Sequence, residues 1–161
     1  MTECQRAFRD ALGRFASGVT VVTGLLPNET PVGMTVSAFC SLSLSPPLVL
    51  ICLDKSTSAL ESYLDGRWFV VNILGEAQED LASAFAEVDA DRFAGLTYET
   101  WDSGCPILCN CLANLECATE AVYPGGDHLI VVGRVARSRW AKDVRPLLHY
   151  GGAFAGLADK T

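Results

Sequence analysis

Gly33-Met34-Thr35-Val36-Ser37-Ala38-Phe39, running on through Ser41, Ser43 and Ser45 to Pro46-Pro47, is the stretch on which the fold of this chain turns. Side chains alternate across a strand, so an extended backbone here puts Thr35 and Ser37 on one side and Met34, Val36 and Ala38 on the other. The pattern predicts a strand with a hydroxyl-bearing face, able to hydrogen-bond a ligand. An ordinary half-exposed strand would read the same way, since Thr favours strands and an exposed Ser needs no explanation. The surroundings of the stretch decide between the two.

Upstream, Thr2 and Gln5 have the spacing of a capping box, and Ala7, Phe8, Ala11, Leu12 and Phe15 recur at helical spacing until Gly18. This predicts an amphipathic N-terminal helix. The β-branched run from Val19 to Thr23 reads as a strand, and Leu26-Pro27-Asn28-Glu29-Thr30-Pro31 supplies the turn residues of a hairpin. Downstream, the unbroken apolar run from Leu48 to Leu53 predicts a buried strand, and Trp68 to Ile73 another. Between them Asp54-Lys55-Ser56-Thr57-Ser58-Ala59-Leu60 leads into a short helix. Glu76 to Ala86 has helical composition with Ala77, Leu81, Ala84 and Phe85 on one broad face. Past Asp91-Arg92-Phe93 the chain is rich in turns as far as Cys105-Pro106, and strand character returns over Leu108 to Ala118 and Leu129 to Val135. Gly151-Gly152-Ala153-Phe154-Ala155-Gly156 is not a G-x-G-x-x-G and follows no βαβ unit, which disfavours a Rossmann site. Many strands and few helices give a mainly β fold, an antiparallel barrel with flanking α-helices.

At 161 residues and 17.2 kDa the chain, 1–161, is expected to form a single domain. The formal charge of −7, from 12 basic and 19 acidic residues, comes without any run of Lys or Arg that could track a phosphate backbone, so nucleic acid is not an expected partner. No apolar run approaches the roughly 20 residues that cross a bilayer, so no membrane association and a cytoplasmic location are expected. Cys4, Cys40, Cys52, Cys105, Cys109, Cys111 and Cys117 are an odd set in a chain too large to need disulfide staples, which favours reduced thiols. Cys109-Asn110-Cys111 with Cys105 and Cys117 invites a zinc reading, but neither a C-x-x-C pair nor a nearby His supplies the usual ligand spacing, so no metal is expected. A hydrophobic fraction of 50% is compatible with a surface partly covered by a second chain.

The chain resembles the short-chain flavin reductases, the small NAD(P)H:flavin oxidoreductases of two-component monooxygenases. The resemblance is carried by Phe8 to Thr23, by Gly33 to Pro47, by Val70-Val71-Asn72-Ile73-Leu74, by Gly126-Asp127-His128-Leu129-Ile130 and by Pro146-Leu147-Leu148-His149-Tyr150. It implies a split β-barrel with flavin, FMN or FAD, at a homodimer interface. NADH or NADPH would be the hydride donor, and a monooxygenase would receive the reduced flavin. Ser45 departs from the family, whose members often carry Asp before the two prolines.

By that resemblance Gly33, Met34, Thr35, Val36 and Ser37 line the flavin ring, with Gly33 letting the backbone come close and Thr35 and Ser37 offering hydroxyls. Lys55, Ser56, Thr57 and Ser58 lie between a strand and a helix, where backbone N–H groups and the positive helix end favour a phosphate. An N-cap role explains one of these hydroxyls but not three in succession. Arg92, with Phe93, matches a basic-aromatic pair that holds the flavin phosphate or closes over the cofactor, and a solvated Arg is the alternative. His128 resembles the family's histidine on the nicotinamide side of the flavin, the other reading being a structural turn residue. His149 and Tyr150 are placed near the flavin or the dimer contact. Two rival functions remain on the same fold: a flavin-binding electron carrier, and a flavin-dependent oxidase.

Overall fold

The computed structural model describes residues 2–64, 66–87 and 91–158. The chain opens with helix α1 (Glu3–Leu12), where the capping box forms as the spacing predicts: the Thr2 hydroxyl accepts from the Gln5 N–H, and the Gln5 side chain accepts from the Thr2 N–H. The helix stops at Gly13, five residues before the expected end. A short β1 (Ser17–Gly18) runs into β2 (Thr20–Leu25), which turns through Pro27 and Asn28 into β3 (Pro31–Val36). Next come β4 (Phe39–Leu44) and β5 (Pro47–Asp54), joined across a cis Ser45-Pro46 peptide. A single 3-10 turn, Leu60–Tyr63, stands where a short helix was expected. It is followed by β6 (Trp68–Ile73), a second 3-10 turn at Glu76–Gln78 and α2 (Glu79–Ala86). The rest is strand: β7 (Tyr98–Thr100), β8 (Pro106–Leu108), β9 (Ala113–Gly125), β10 (His128–Trp140), β11 (Leu148–Tyr150) and β12 (Ala153–Ala155).

Seven strands form one antiparallel sheet in the order β3-β2-β6-β9-β10-β5-β4. Its ends curl toward each other until β3 and β5 touch, so the sheet is a barrel split along that seam. Val22, Val36, Val49, Ile51, Leu53, Phe69, Val71 and Val131 fill the interior. Gly133 completes it, since a Cβ there would stand 2.4 Å from the ring of Phe69. A second core lies outside the sheet, where Val19, Val21 and Leu74 pack beneath Phe85 and Ala82 of α2.

Several expectations are corrected. Leu48 to Leu53 is not buried on both faces: Val49, Ile51 and Leu53 are inside, whereas Leu48, Leu50 and Cys52 are half-buried on the outer face. The apolar composition therefore reports two surfaces, one buried inside the barrel and one half-buried on its outside. On α2 the buried side chains are Ala82 and Phe85, and Ala77 is exposed before the helix begins. Leu108 ends β8 rather than opening the long strand, because a turn at Cys109–Cys111 intervenes. Strands β7, β11 and β12 were not expected. All seven cysteines are free: Cys105, Cys111 and Cys117 are buried in three separate clusters, Cys52 and Cys109 are half-buried, and Cys4 and Cys40 are exposed.

Candidate functional site

The seam between β3 and β5 opens into a trough. A hollow of about 250 Å³ is lined by Met34, Thr35, Val36, Ser37 and Ala38 on one side, by Cys52, Leu53, Asp54 and Thr57 on the other, and by His128 at the end. A second, of about 200 Å³, is lined by the neighbouring residues Gly33 and Ser58 together with Arg92 and Phe93. Ten of the fourteen residues expected to bind cofactor or the nicotinamide therefore fall on two adjoining hollows.

Local hydrogen bonding sorts the trough residues by what they have left to offer. The Thr35 hydroxyl donates to the Ala82 carbonyl of α2 at 2.6 Å, so this side chain is turned toward the helix. Gly33 projects the same way: a Cβ there would lie 2.7 Å from Cε1 of Phe85 and 3.1 Å from Cγ2 of Thr23. The glycine makes room for Phe85 of α2, a steric reason for it that the sequence did not signal. Val36 is 6% exposed and belongs to the barrel core, with Met34 packed against that core. Ser37 lies beyond the end of β3, is exposed, and its hydroxyl makes no hydrogen bond within the described residues. The expected face of paired hydroxyls is thus one side chain spent on the fold and one open to the trough.

β3 is the outermost strand beyond β2, so one side of its backbone is unpaired. Arg92 shows which: its Nη1 donates to the Gly33 carbonyl at 2.6 Å, and its other guanidinium nitrogens donate to the Glu87 carbonyl. In a strand the N–H and C=O of residues two apart point the same way, so the Thr35 main chain also faces the seam. Arg92 ties the strand edge to the end of α2. Phe93 packs edge-on against Phe85 and Tyr98, with centroids at 5.2 and 5.7 Å.

Across the trough, Asp54 ends β5 and caps the following turn: its Oδ1 accepts from the N–H and the hydroxyl of Ser56, both at 2.7 Å. These two bonds hold the Asp54 carboxyl below its usual range. Lys55 donates from Nζ to the Gly126 carbonyl at 2.5 Å, tying this turn to the β9–β10 hairpin. The hydroxyls of Thr57 and Ser58 have no partner among the described residues. The expected helix N-terminus is absent, since the 3-10 turn begins only at Leu60 after Ala59. Ser56 is therefore occupied, and Thr57 and Ser58 are the groups still able to bind.

His128 begins β10 opposite Asp54. Its Nδ1 lies 2.7 Å from Oδ1 of Asp127, and this bond with the charge of the imidazolium keeps the Asp127 carboxyl below its ordinary range. The bond occupies Nδ1, and Nε2 has no hydrogen-bond partner among the described residues. His149 and Tyr150 are elsewhere. β11 pairs with β1 and β12, His149 meets Phe154 edge-on at 5.9 Å, and the ring borders a separate hollow of about 540 Å³ with Arg9, Arg14, Gly151 and Gly152. Sequence reasoning missed Ala38, Cys52, Leu53 and Asp54 in the trough; only the alternation of β5 could have pointed to Cys52 and Asp54.

These features define a split barrel with a polar-edged trough at its seam, and the comparisons with known proteins agree. The chain belongs to the family of the flavin reductase like domain, whose pattern matches residues 12–158. The reductase subunit HsaB of the flavin-dependent monooxygenase of Rhodococcus jostii (strain RHA1) is 40% identical over 157 residues, 97% of this chain and 80% of that protein. The FMN reductase (NADH) SmoA of Agrobacterium fabrum is 42% identical over 152 residues, 94% of this chain and 86% of that one. Among solved structures, the NADH:FAD oxidoreductase SgcE6 of Streptomyces globisporus C-1027, in complex with NAD and FAD fragments, superposes with a TM-score of 0.90 at 37% identity. The match covers 96% of this chain and 93% of that one.

Proposed function

We propose that the seam trough is a flavin site and that the chain, as one domain over 1–161, is an NAD(P)H:flavin oxidoreductase that hands reduced flavin to a separate monooxygenase. The observation that carries this reading is the meeting, in one trough, of the free Ser37 and Thr57 hydroxyls, the open β3 edge and His128. A flavin ring needs a flat slot, main-chain or hydroxyl partners for its pyrimidine edge, and donors for its phosphate. Met34, Val36 and Leu53 supply apolar wall, the Thr35 backbone and Ser37 supply the edge, and Thr57 and Ser58, with Arg92 close by, supply the phosphate end. Flavin, when bound, provides the chemistry by accepting at N5 the hydride from the nicotinamide C4.

The residues of the chain do the rest by position. Asp127 holds the His128 ring, so that Nε2 can orient a carboxamide or a flavin oxygen without a rotamer search. Each hollow is smaller than the roughly 300 to 1,000 Å³ that ligand sites occupy, so a second copy of the chain is proposed to close the trough. Free thiols on all seven cysteines suit the reducing, cytoplasmic setting that is part of this reading.

Turnover decides it. Purified protein mixed with NADH and excess FMN should oxidise many equivalents of NADH per chain. A single stoichiometric reduction would make the protein an electron carrier, and no reduction without an added organic amine or alcohol would favour an oxidase.

A further inference from the structure

Cys109 and Cys111 are the two cysteines of the chain that stand a single residue apart, and they lie outside the trough. The backbone between them turns tightly: Asn110 has a φ of 59°, in the left-handed region that Asn tolerates better than most residues with a side chain. In a turn of helical dimensions, of either hand, Cα atoms two residues apart are about 5.4 Å from each other. A disulfide spans roughly 4.4 to 6.8 Å between Cα atoms, so this turn is already within reach of one. The Cys111 sulfur folds back over the turn, its thiol donating to the Cys109 carbonyl at 3.7 Å. Both cysteines line one surface hollow of about 350 Å³, together with Glu99, Asn114 and Arg139.

The two sulfurs differ in their surroundings. Cys111 is 6% exposed and packs in the outer core with Leu74, Leu108 and Leu147. Burial pushes its thiol up to about 11, so it stays protonated at neutral pH. Cys109 is half-buried at the hollow, where a dissolved oxidant meets it first. Arg139 brings a cation to the same hollow, held by Oδ1 of Asn114 at 2.9 and 3.1 Å and by Glu99 at 2.5 Å. Such a neighbour favours thiolate over thiol. Elsewhere the thiols are shielded: Cys117 is buried in the barrel and pushed up to about 12, and buried Cys105 donates to the Trp68 carbonyl at 3.3 Å.

We propose that Cys109 and Cys111 form a redox-active dithiol whose substrate is hydrogen peroxide, with Cys109 the attacking sulfur and Cys111 the resolving one. The source of the peroxide rests on the reductase reading above: reduced flavin released into aerated solution passes two electrons and two protons to dioxygen, giving oxidised flavin and hydrogen peroxide. The Cys109 thiolate attacks one peroxide oxygen, the O–O bond breaks, and Cys109 becomes a sulfenic acid while the departing hydroxide takes up a proton as water. The Cys111 sulfur then attacks the Cys109 sulfur, the S–O bond breaks, and the hydroxyl leaves as a second water with the Cys111 proton. Two thiols and one peroxide thus give one disulfide and two waters, and an added dithiol restores the pair by exchange.

The experiment uses the full chain, reduced, in two arms: hydrogen peroxide added directly, and NADH with excess FMN in air, with and without catalase. Differential alkylation and mass spectrometry read each cysteine. In the first arm Cys109 and Cys111 should be lost together, as a pair two hydrogens lighter, at least about tenfold faster than the exposed Cys4 and Cys40, and dithiothreitol should restore both. Dimedone should trap a sulfenic acid on Cys109 in Cys111→Ala and none on Cys111 in Cys109→Ser. Oxidation of Cys109 and Cys111 no faster than that of Cys4 and Cys40, or without pairing, overturns the proposal, and the wild type alone decides this should a variant fail to fold. Dimedone on Cys111 in Cys109→Ser overturns the assignment of the attacking sulfur. In the second arm the same pair should form and catalase should prevent it. A pair that forms with added peroxide but not during turnover upholds the dithiol and counts against the released reduced flavin, so the two readings fail separately.

Discussion

Cε1 of Phe85 on α2 lies 2.7 Å from the point where a Cβ on Gly33 would stand, so the helix occupies the space that a side chain on this strand would need. The same backbone segment is held from the other direction by Arg92, which donates to the Gly33 carbonyl. One residue thus joins the packing of α2 to the position of a cation at the rim of the trough.

Gly33→Ala should therefore lower stability by about 1 to 3 kcal/mol, the usual range for overpacking, because Phe85 is fully buried and has no free direction. Flavin affinity should fall too, since a shifted strand edge moves Arg92 and the Thr35 main chain. Thermal unfolding and a flavin titration check both halves. An unchanged melting temperature would show that Phe85 yields freely.

Thr35 and Ser37 should separate stability from binding. Thr35→Val removes a hydroxyl that donates to the Ala82 carbonyl, so it should lower stability by about 0.5 to 1.5 kcal/mol and leave flavin affinity nearly unchanged. Ser37→Ala should do the reverse, its hydroxyl having no partner among the described residues. Denaturant unfolding and isothermal titration on the two single variants read this directly, and equal effects of the two on either quantity would contradict the assignment.

How much of this was legible beforehand follows from the range of the interactions. The α1 capping box, the β2–β3 hairpin and strand β6 rest on neighbours a few residues apart, and the sequence pattern places them correctly. The trough was legible as a set of residues: Ser37, Thr57 and His128 do meet. The use made of Gly33, Thr35 and Ser56 was not. Gly33 and Thr35 answer to α2, some 50 residues away, and Ser56 to the carboxylate two positions before it. β7, β11 and β12 are three-residue strands without periodicity to betray them, defined only by their partners.

The Asp127–His128 pair makes a pH prediction. Asp127 is held below its ordinary value first by the hydrogen bond to the ring and then by its charge. A carboxyl depressed in the folded state contributes stability above its unfolded value near 3.9 and loses it as pH falls through the folded value. His128→Ala should raise the Asp127 titration back toward that ordinary value, as followed by carboxyl carbon NMR. Asp54 is the control: its depression comes first from the N–H and then from the hydroxyl of Ser56, so it should rise in part with Ser56→Ala, which removes only the hydroxyl bond, and respond little to His128→Ala. An Asp127 titration unmoved by loss of His128 would mean that the two do not pair in solution. In turnover, the same variant should raise the NADH KM or slow flavin reduction, with flavin affinity kept.

The phosphate end of the trough supplies the last prediction. Thr57 and Ser58 follow a turn whose hydrogen bonds are already made by Asp54 and Ser56, and their own hydroxyls are unspent. Hydrogen bonds to a charged group contribute roughly 1.5 to 3 kcal/mol each, so Thr57→Val with Ser58→Ala should weaken FMN at least tenfold. Riboflavin, which has no phosphate, should bind the variant as it binds the wild type. Ser56→Ala should act differently: by removing one of the two bonds to the Asp54 carboxylate it loosens the turn, weakening FMN and riboflavin by similar factors. Titrating both ligands into both variants tests the division of labour among these three adjacent hydroxyls. A phosphate-dependent loss in Ser56→Ala, with none in the Thr57 and Ser58 variant, would reverse it.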